Sequence, residues 1–240
     1  MIALQITATT PHGVVLSRPW GIAFDGLLAS VLWHRRKRAA AEAGGSLTYR
    51  PEEVPEDLEL PLAQCGDPSQ EPDWHWMATF ADLHPHSNDA LPDIRWRTSR
   101  TDRTRLQQLA PQIGSQVVSD SHGRYQRRVI PVLAHPVTHL TWRAVGDPAI
   151  ISDLLQDLPA IGKHRGTGEG LISRWEIEPT PQISPWSAGH EHEPGVLGRT
   201  TPTRCLNPTD SPRTGGTDSA TVRPPYLHPC SRTTVHHPAR

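Results

Sequence analysis

The sequence predicts an α+β fold of ferredoxin-like type, an antiparallel sheet with two helices on one face. Three features point to it: a period-two stretch opens the chain, two apolar segments of helical period carry start and stop signals, and extended segments follow each of them. Ile2, Leu4, Ile6 and Ala8 alternate with Ala3, Gln5, Thr7 and Thr9, which makes a strand with one buried face. Phe24, Leu27, Leu28, Val31 and Leu32 then fall at i, i+3, i+4, i+7 and i+8. Asp25 stands in the opening turn, Arg35-Arg36-Lys37-Arg38 in the expected last turn, and Gly44-Gly45 where a helix should stop. Trp74, Trp76, Ala78 and Phe80 alternate as a second strand. Residues 127–133 and 138–145 form two extended segments, expected to pair as a hairpin through Ala134-His135-Pro136, with Pro131 consigning the first to an edge. Asp147-Pro148 supplies an N-cap followed by proline at the first helical position. Ile150, Ile151, Leu154, Leu155 and Leu158 are the apolar side of that second helix, and Pro159 and Gly162 end it. Leu171, Ser173, Trp175 and Ile177 alternate in a closing strand. The resulting order is β, α, β, then β, α, β, with a long insertion between the halves.

Composition bounds the function. The 240 residues carry 24 Lys+Arg against 25 Asp+Glu and 35% hydrophobic residues, with no apolar run of about 18, so no transmembrane helix is expected. The opening residues do not look like a secretory signal, and a cytoplasmic protein with no membrane partner is expected. Cys65, Cys205 and Cys230 are odd in number, far apart and lack a CxxC pair. Neither a disulfide framework, nor a metal site, nor a cofactor is expected from them.

Character changes near residue 178. Of the 62 residues from Pro179 to Arg240, 11 are proline and 14 are apolar. Such a segment reads as a Pro-rich, low-complexity tail without a packed core, attached to a folded domain of residues 1–178. His190, His192, His236 and His237 lie in it and read as solvated. Charge is also segregated: residues 51–73 hold eight acidic residues and no Lys or Arg, which with five prolines reads as a loop. Residues 93–128 hold eight Arg, and 35–38 form a second basic run. Basic patches suit phosphate backbones, because each neutralised phosphate releases counterions; the alternative is a solvated face neutralised by the acidic loop.

The segment from Ile161 to Gly170 carries the chemistry. Gly162, Gly166, Gly168 and Gly170 leave few Cβ atoms between a ligand and the main-chain N–H groups, and Lys163, His164 and Arg165 add cationic donors. This is not a Walker loop, because Gly162-Lys163 is followed by His164 and no glycine stands five positions earlier. Nor is it a dinucleotide fingerprint, since GxGxG here follows a helix and precedes a strand. A flexible connector remains the alternative.

A ferredoxin-like domain whose last helix runs into Gly-Lys-His-Arg-Gly-Thr-Gly-Glu-Gly, followed by a strand with Trp175, resembles the RAMP proteins of class 1 CRISPR-Cas systems. Phe24-Asp25-Gly26-Leu27-Leu28-Ala29 is similar to the helix opening of the type IV subunit corresponding to the small RAMP that caps the crRNA 5′ handle. The resemblance covers about residues 2–178. It implies an RNA-binding subunit of a type IV-like ribonucleoprotein, with crRNA and other complex subunits, including a backbone RAMP, as partners. The implied RNA-binding residues are Gly162, Lys163, Arg165, Gly166, Gly168 and Gly170, with His164 in a variable place. Arg35, Arg36, Lys37 and Arg38 and the arginines from 95 to 105 would extend the phosphate track, and an exposed Trp or Tyr125 could stack on bases. The competing reading is a metal-independent crRNA-processing endoribonuclease, in which a His acts as general acid or base beside a charge-stabilising Lys or Tyr; His12 and His34 are the candidates because histidine titrates near neutral pH. A nucleotide-binding regulator of the same small fold is the third.

Overall fold

β1 (Ile2–Thr9) runs through the middle of a four-stranded antiparallel sheet. In the computed structural model, which describes residues 1–17, 21–85, 91–99, 126–206 and 212–239 with the single positions 87, 102, 104, 105 and 108, the order is β4-β7-β1-β8. Here β4 is Asp82–Pro85, β7 is Val137–Gly146 and β8 is Arg174–Pro179. With α1 (Phe24–Glu42) and α2 (Pro148–Leu155) as crossovers, this is second, third, first, fourth strand, the ferredoxin-like order. Register places Ile6 opposite Trp142 on one side and Ile177 on the other.

The period-two pattern has its physical cause in this sheet. Leu4, Ile6 and Ala8 and, from β7, Leu140, Trp142 and Ala144 are buried in the same cluster as the apolar sides of α1 and α2. Trp142 sits between Phe24 at 5.9 Å and Trp175 at 5.8 Å, and its indole N–H donates to the Ile22 carbonyl at 2.9 Å. Burying one such large side chain is worth about 1.5–3 kcal/mol. α2 starts as its sequence requires: the Asp147 carboxylate accepts from the Ala149 and Ile150 N–H groups at 2.9 and 3.2 Å, with Pro148 in the first turn. Ile151, Leu154 and Leu155 are buried, while Ile150 faces outward.

Several expectations are corrected. α1 does not end on its basic run but continues to Glu42, since Ala39, Ala40 and Ala41 are strong helix formers. Its carbonyls are then capped by Gly44 and Gly45 N–H groups. The strand expected around residues 74–80 is broken. β2 (Gln64–Cys65) and β3 (His75–Trp76) pair as a short hairpin, the Ala78 bridge to Ala144 holds the chain beside β7, and the regular strand is β4. The segments on either side of His135-Pro136 are strands but not partners. β6 (Arg128–Ala134) pairs with β5 (Asp93–Ser99) in a separate two-stranded ribbon with Pro131 opposite Trp96, whereas β7 enters the main sheet.

The largest correction concerns residues beyond β8. α3 (Pro185–His190) leads into a β9–β10 hairpin (Glu191–Glu193, Val196–Leu197), then β11 (Thr201–Pro202), β12 (Thr214–Thr221) and β13 (Arg232–Pro238) in a sheet ordered β11-β13-β12. Ala188 packs with Ala3 and Val145. The low apolar fraction misled because the anchor is polar. Arg199 is fully buried and donates to the carbonyls of Trp76, Ala78 (3.0 Å), Thr200 (3.2 Å) and Val222 (2.6 Å). Its guanidinium lies 3.9 Å from the buried Asp25 carboxylate, which also accepts from the Tyr226 hydroxyl at 2.8 and 2.9 Å. Burial holds the Asp25 carboxyl above its ordinary range against the opposing pull of Arg199 and Tyr226.

The acidic loop finds its counter-charges in the same segment. Arg204 pairs with Glu71 at 2.9 Å and Asp73 at 2.7 Å, and Arg223 pairs with Asp57 at 3.2 Å while lying over the Trp74 ring at 4.4 Å. Among the described residues no helix is long and apolar enough to cross a membrane.

Arg199→Met tests the anchor. Removing one member of a buried charged network is expected to cost about 3 kcal/mol or more in urea unfolding and to open the segment after residue 179 to limited proteolysis. A loss under about 1 kcal/mol would show that the segment is held by something else.

Candidate nucleic-acid interface

The chain between α2 and β8 is a loop closed at its neck. Ile161 N–H donates to Gly170 O at 2.9 Å, Ile172 N–H to Pro159 O at 2.9 Å, and Ala160 bridges Leu171. Lys163 N–H donates to Val15 O at 2.8 Å, which fastens the loop to the chain that follows β1. Within it, Arg165–Thr167 forms a single 3-10 turn entered through His164, whose φ of 60° is left-handed, a conformation uncommon for a residue other than glycine.

The four glycines divide into two kinds. Gly162 and Gly170 are required by the fold: both have positive φ, and a Cβ would lie 2.5 Å from Val15 O at the first and 1.9 Å from Ile161 O at the second. Gly166 and Gly168 have nothing within 4 Å of a Cβ position. Gly168 still needs its φ of 90°, but neither backbone conformation nor neighbours demand glycine at 166.

Charge in the loop is sorted by depth. Residues 163–168 are exposed, and among the described residues Lys163, His164 and Arg165 have no carboxylate partner. The loop's one acid, Glu169, is turned inward and fully buried, where it pairs with Arg95 at 2.5 Å and with Arg97, both on β5. Arg95 also donates to the His12 carbonyl at 2.9 Å. The N–H groups of His164, Arg165 and Gly166 make no hydrogen bond among the described residues. Free successive N–H groups beside exposed cations, with the carboxylate hidden, form a surface that an anionic oxygen can approach.

The other basic residues are placed differently. Arg35 binds Asp153 at 2.5 Å and Asp157 at 2.7 Å on the α2 side, Arg38 reaches Asp157 at 3.5 Å, and Arg36 reaches Glu56 at 3.5 Å. These exposed pairs, worth about 0–1 kcal/mol each, hold α1 against its neighbours, and Lys37 alone of the run has no partner among the described residues. Arg95 and Arg97 buttress Glu169 rather than facing outward as a free track. Arg100, Arg103, Arg124 and Tyr125 lie outside the described residues. His12 and His34 are both exposed, one after β1 and one within α1, and neither ring makes a hydrogen bond among the described residues.

Sequence reasoning missed a second cluster and set His190 aside as solvated. His190 closes α3 fully buried, and its Nε2 faces that of the buried His75 at 2.9 Å. Cys65 stands opposite His75 across the β2–β3 pair, and its thiol is 3.7 Å from that of Cys205. Burial pushes the His75 imidazole down to about 4, and the hydrogen bond between the two thiols draws Cys65 down and Cys205 up. No CxxC spacing announces this set, because its four members come from the two strands of one hairpin and two elements far along the chain.

No family model and no curated protein matches the chain. Among solved structures it is similar to a chain of the Type III-B Cmr-beta complex bound to cognate target RNA, determined by cryo-EM, with 13% identity and a TM-score of 0.37. The match covers 74% of this chain and 61% of that one, so this chain spans about three fifths of its neighbour. At that score the likeness carries no argument about function.

The division of the glycines is testable by stability alone. Gly170→Ala should lower stability by more than about 2 kcal/mol, since a Cβ has no room and φ is positive, whereas Gly166→Ala should fall within about 0.5 kcal/mol of wild type. Equal effects of the two in thermal or urea unfolding would refute the distinction.

Proposed function

We propose that the chain is a non-catalytic RNA-binding subunit of a CRISPR-Cas ribonucleoprotein of type IV-like organisation, and that it seats the 5′ handle of crRNA on the loop 162–170. The observation that carries this reading is the outer turn of the loop. Three N–H groups without partners among the described residues, two exposed cations and a glycine at 166 that the fold does not require stand together, while Glu169 is withdrawn beneath them. A phosphate diester offers the acceptor oxygens and negative charge that such a turn lacks. Gly166 and Gly168 let the backbone of the nucleic acid come close. The similarity of Phe24-Asp25-Gly26-Leu27-Leu28-Ala29 and of the glycine-rich loop to the RAMP pattern supports the crRNA assignment, and a backbone RAMP subunit is the partner it implies. Lys37 and Arg128, exposed at other places on the surface, are secondary candidates for phosphate contact.

The endoribonuclease reading draws no support from geometry. General acid–base cleavage needs a positioned histidine, and among the described residues neither the His12 nor the His34 ring has a hydrogen-bond partner to orient it.

Replacing Lys163 and Arg165 together with Ala should weaken binding of single-stranded repeat RNA and reduce the magnitude of the log–log salt slope by about 1.4, at about 0.7 per lost phosphate contact. Gly166→Val should weaken binding without altering the unfolding midpoint. Unchanged affinity in both variants would reduce the loop to a connector. Labelled repeat RNA incubated with wild-type protein, with and without EDTA, should stay intact; cleavage that His12→Ala or His34→Ala abolishes would overturn the non-catalytic role.

A further inference from the structure

We propose that Cys65, His75, His190 and Cys205 form a tetrahedral structural zinc site that clips the C-terminal segment to the ferredoxin-like domain. One ligand atom each from Cys65, His75 and His190 already lies within 4.8 Å of the others; the Cys205 thiol stands outside that group but 3.7 Å from that of Cys65, and would move in as the fourth ligand. Two thiolates bound at about 2.3 Å in a tetrahedron stand about 3.8 Å apart, so the two sulfurs, now in thiol–thiol contact, are already spaced to share a metal; a disulfide would need about 2.05 Å.

The histidines supply an independent argument. His190 Nδ1 lies 2.8 Å from the Trp186 carbonyl and His75 Nδ1 lies 3.3 Å from the Asp73 carbonyl. A carbonyl only accepts, so the hydrogen of each neutral ring belongs on Nδ1. Both Nε2 lone pairs then face each other at 2.9 Å in a fully buried place, with no hydrogen between them. A cation between them resolves this conflict. Donation of the distal N–H to a backbone carbonyl is also how a metal-binding imidazole is usually held. Trp186 stacks on the His190 ring at 4.9 Å and 10°, which fixes its direction further. At about 2.0–2.1 Å per Zn–N bond the two nitrogens would move apart to about 3.3 Å, a small shift.

Two thiolates and two imidazoles, with no position left for water, match a closed structural zinc site rather than a catalytic one. On binding, each thiol proton leaves to solvent and its sulfur lone pair goes to the metal, so affinity rises with pH. The ligands come from the β2–β3 hairpin, the end of α3 and the turn Thr203–Cys205, and Cys65 and Cys205 are 140 residues apart. Closing so long a loop restricts the unfolded chain strongly, and the binding free energy becomes folding free energy.

Elemental analysis of protein purified without added metal should find one zinc per chain. Cys65→Ser and His190→Ala should each lower that content at least tenfold, and Cys230→Ser, at an exposed cysteine outside the cluster, should leave it unchanged. If the ligand variants do not fold, wild-type protein stripped of metal and titrated with cobalt(II) still decides. Thiolate-to-cobalt charge-transfer absorption together with tetrahedral d–d bands, saturating at one equivalent, is the expected spectrum. Folded wild type that holds no zinc and gives no such spectrum, or whose Cys65 and Cys205 are recovered as a disulfide, would overturn the proposal.

Discussion

The buried guanidinium of Arg199 is the constraint on which the rest of the molecule depends. An unpaired charge in a protein interior is unstable by several kcal/mol, so Arg199 must find an acceptor for each N–H group. It finds them in the carbonyls of Trp76 and Ala78 beside the main sheet, of the adjacent Thr200, and of Val222 near the end of β12, while its charge is balanced at 3.9 Å by Asp25 in the first turn of α1. Satisfying one side chain therefore fixes the broken second strand, the first helix and the C-terminal sheet in mutual position. Asp25 is held from the other side by Tyr226, whose ring also lies 3.4 Å from where a Gly26 Cβ would stand. Two residues of the Phe24-Asp25-Gly26 motif thus have a structural role: they receive the C-terminal segment.

This explains how a segment poor in apolar residues acquires order. A composition argument weighs entropy against apolar burial, and for residues 179–240 that balance is unfavourable. The missing contribution is polar and non-local. Buried hydrogen bonds of Arg199, ion pairs of Arg204 and Arg223 with Glu71, Asp73 and Asp57, and backbone pairing of β12 with β13 replace a core of its own. The acidic loop and the segment are complementary halves of one arrangement, which is why each looks unfoldable when considered alone.

How much was legible follows from the same distinction. Leu4, Ile6 and Ala8, the Asp147-Pro148 cap and the Trp175-Ile177 strand depend on contacts whose periodicity is written locally, and the ferredoxin-like order emerged from them. The pairing of β6 with β5 rather than β7 was not legible, because a strand's partner is set by register and topology that no local pattern encodes. In the loop, the glycines were legible as a group but not as two kinds. Only neighbouring atoms reveal that Gly162 and Gly170 are required by Val15 and Ile161 while Gly166 is not. The Cys65, His75, His190 and Cys205 cluster was invisible for the same reason, since its spacing in sequence reflects the fold and no motif.

Charge runs misled in an instructive way. By sequence the densest positive stretches are 35–38 and 95–105, yet in space Arg35, Arg36 and Arg38 face Asp153, Asp157 and Glu56, and Arg95 and Arg97 face Glu169. A phosphate approaching those arginines would have to displace a carboxylate already in place, so the gain in attraction is offset by the pair it breaks. Lys163 and Arg165 present no such competitor among the described residues. For an anionic partner the relevant quantity is the cation left without a carboxylate. By that measure the proposed site at Lys163 and Arg165 is favoured over the paired arginines, because the loop's only acid is kept out of the way by Arg95 and Arg97, which the sequence had put forward as the binding track.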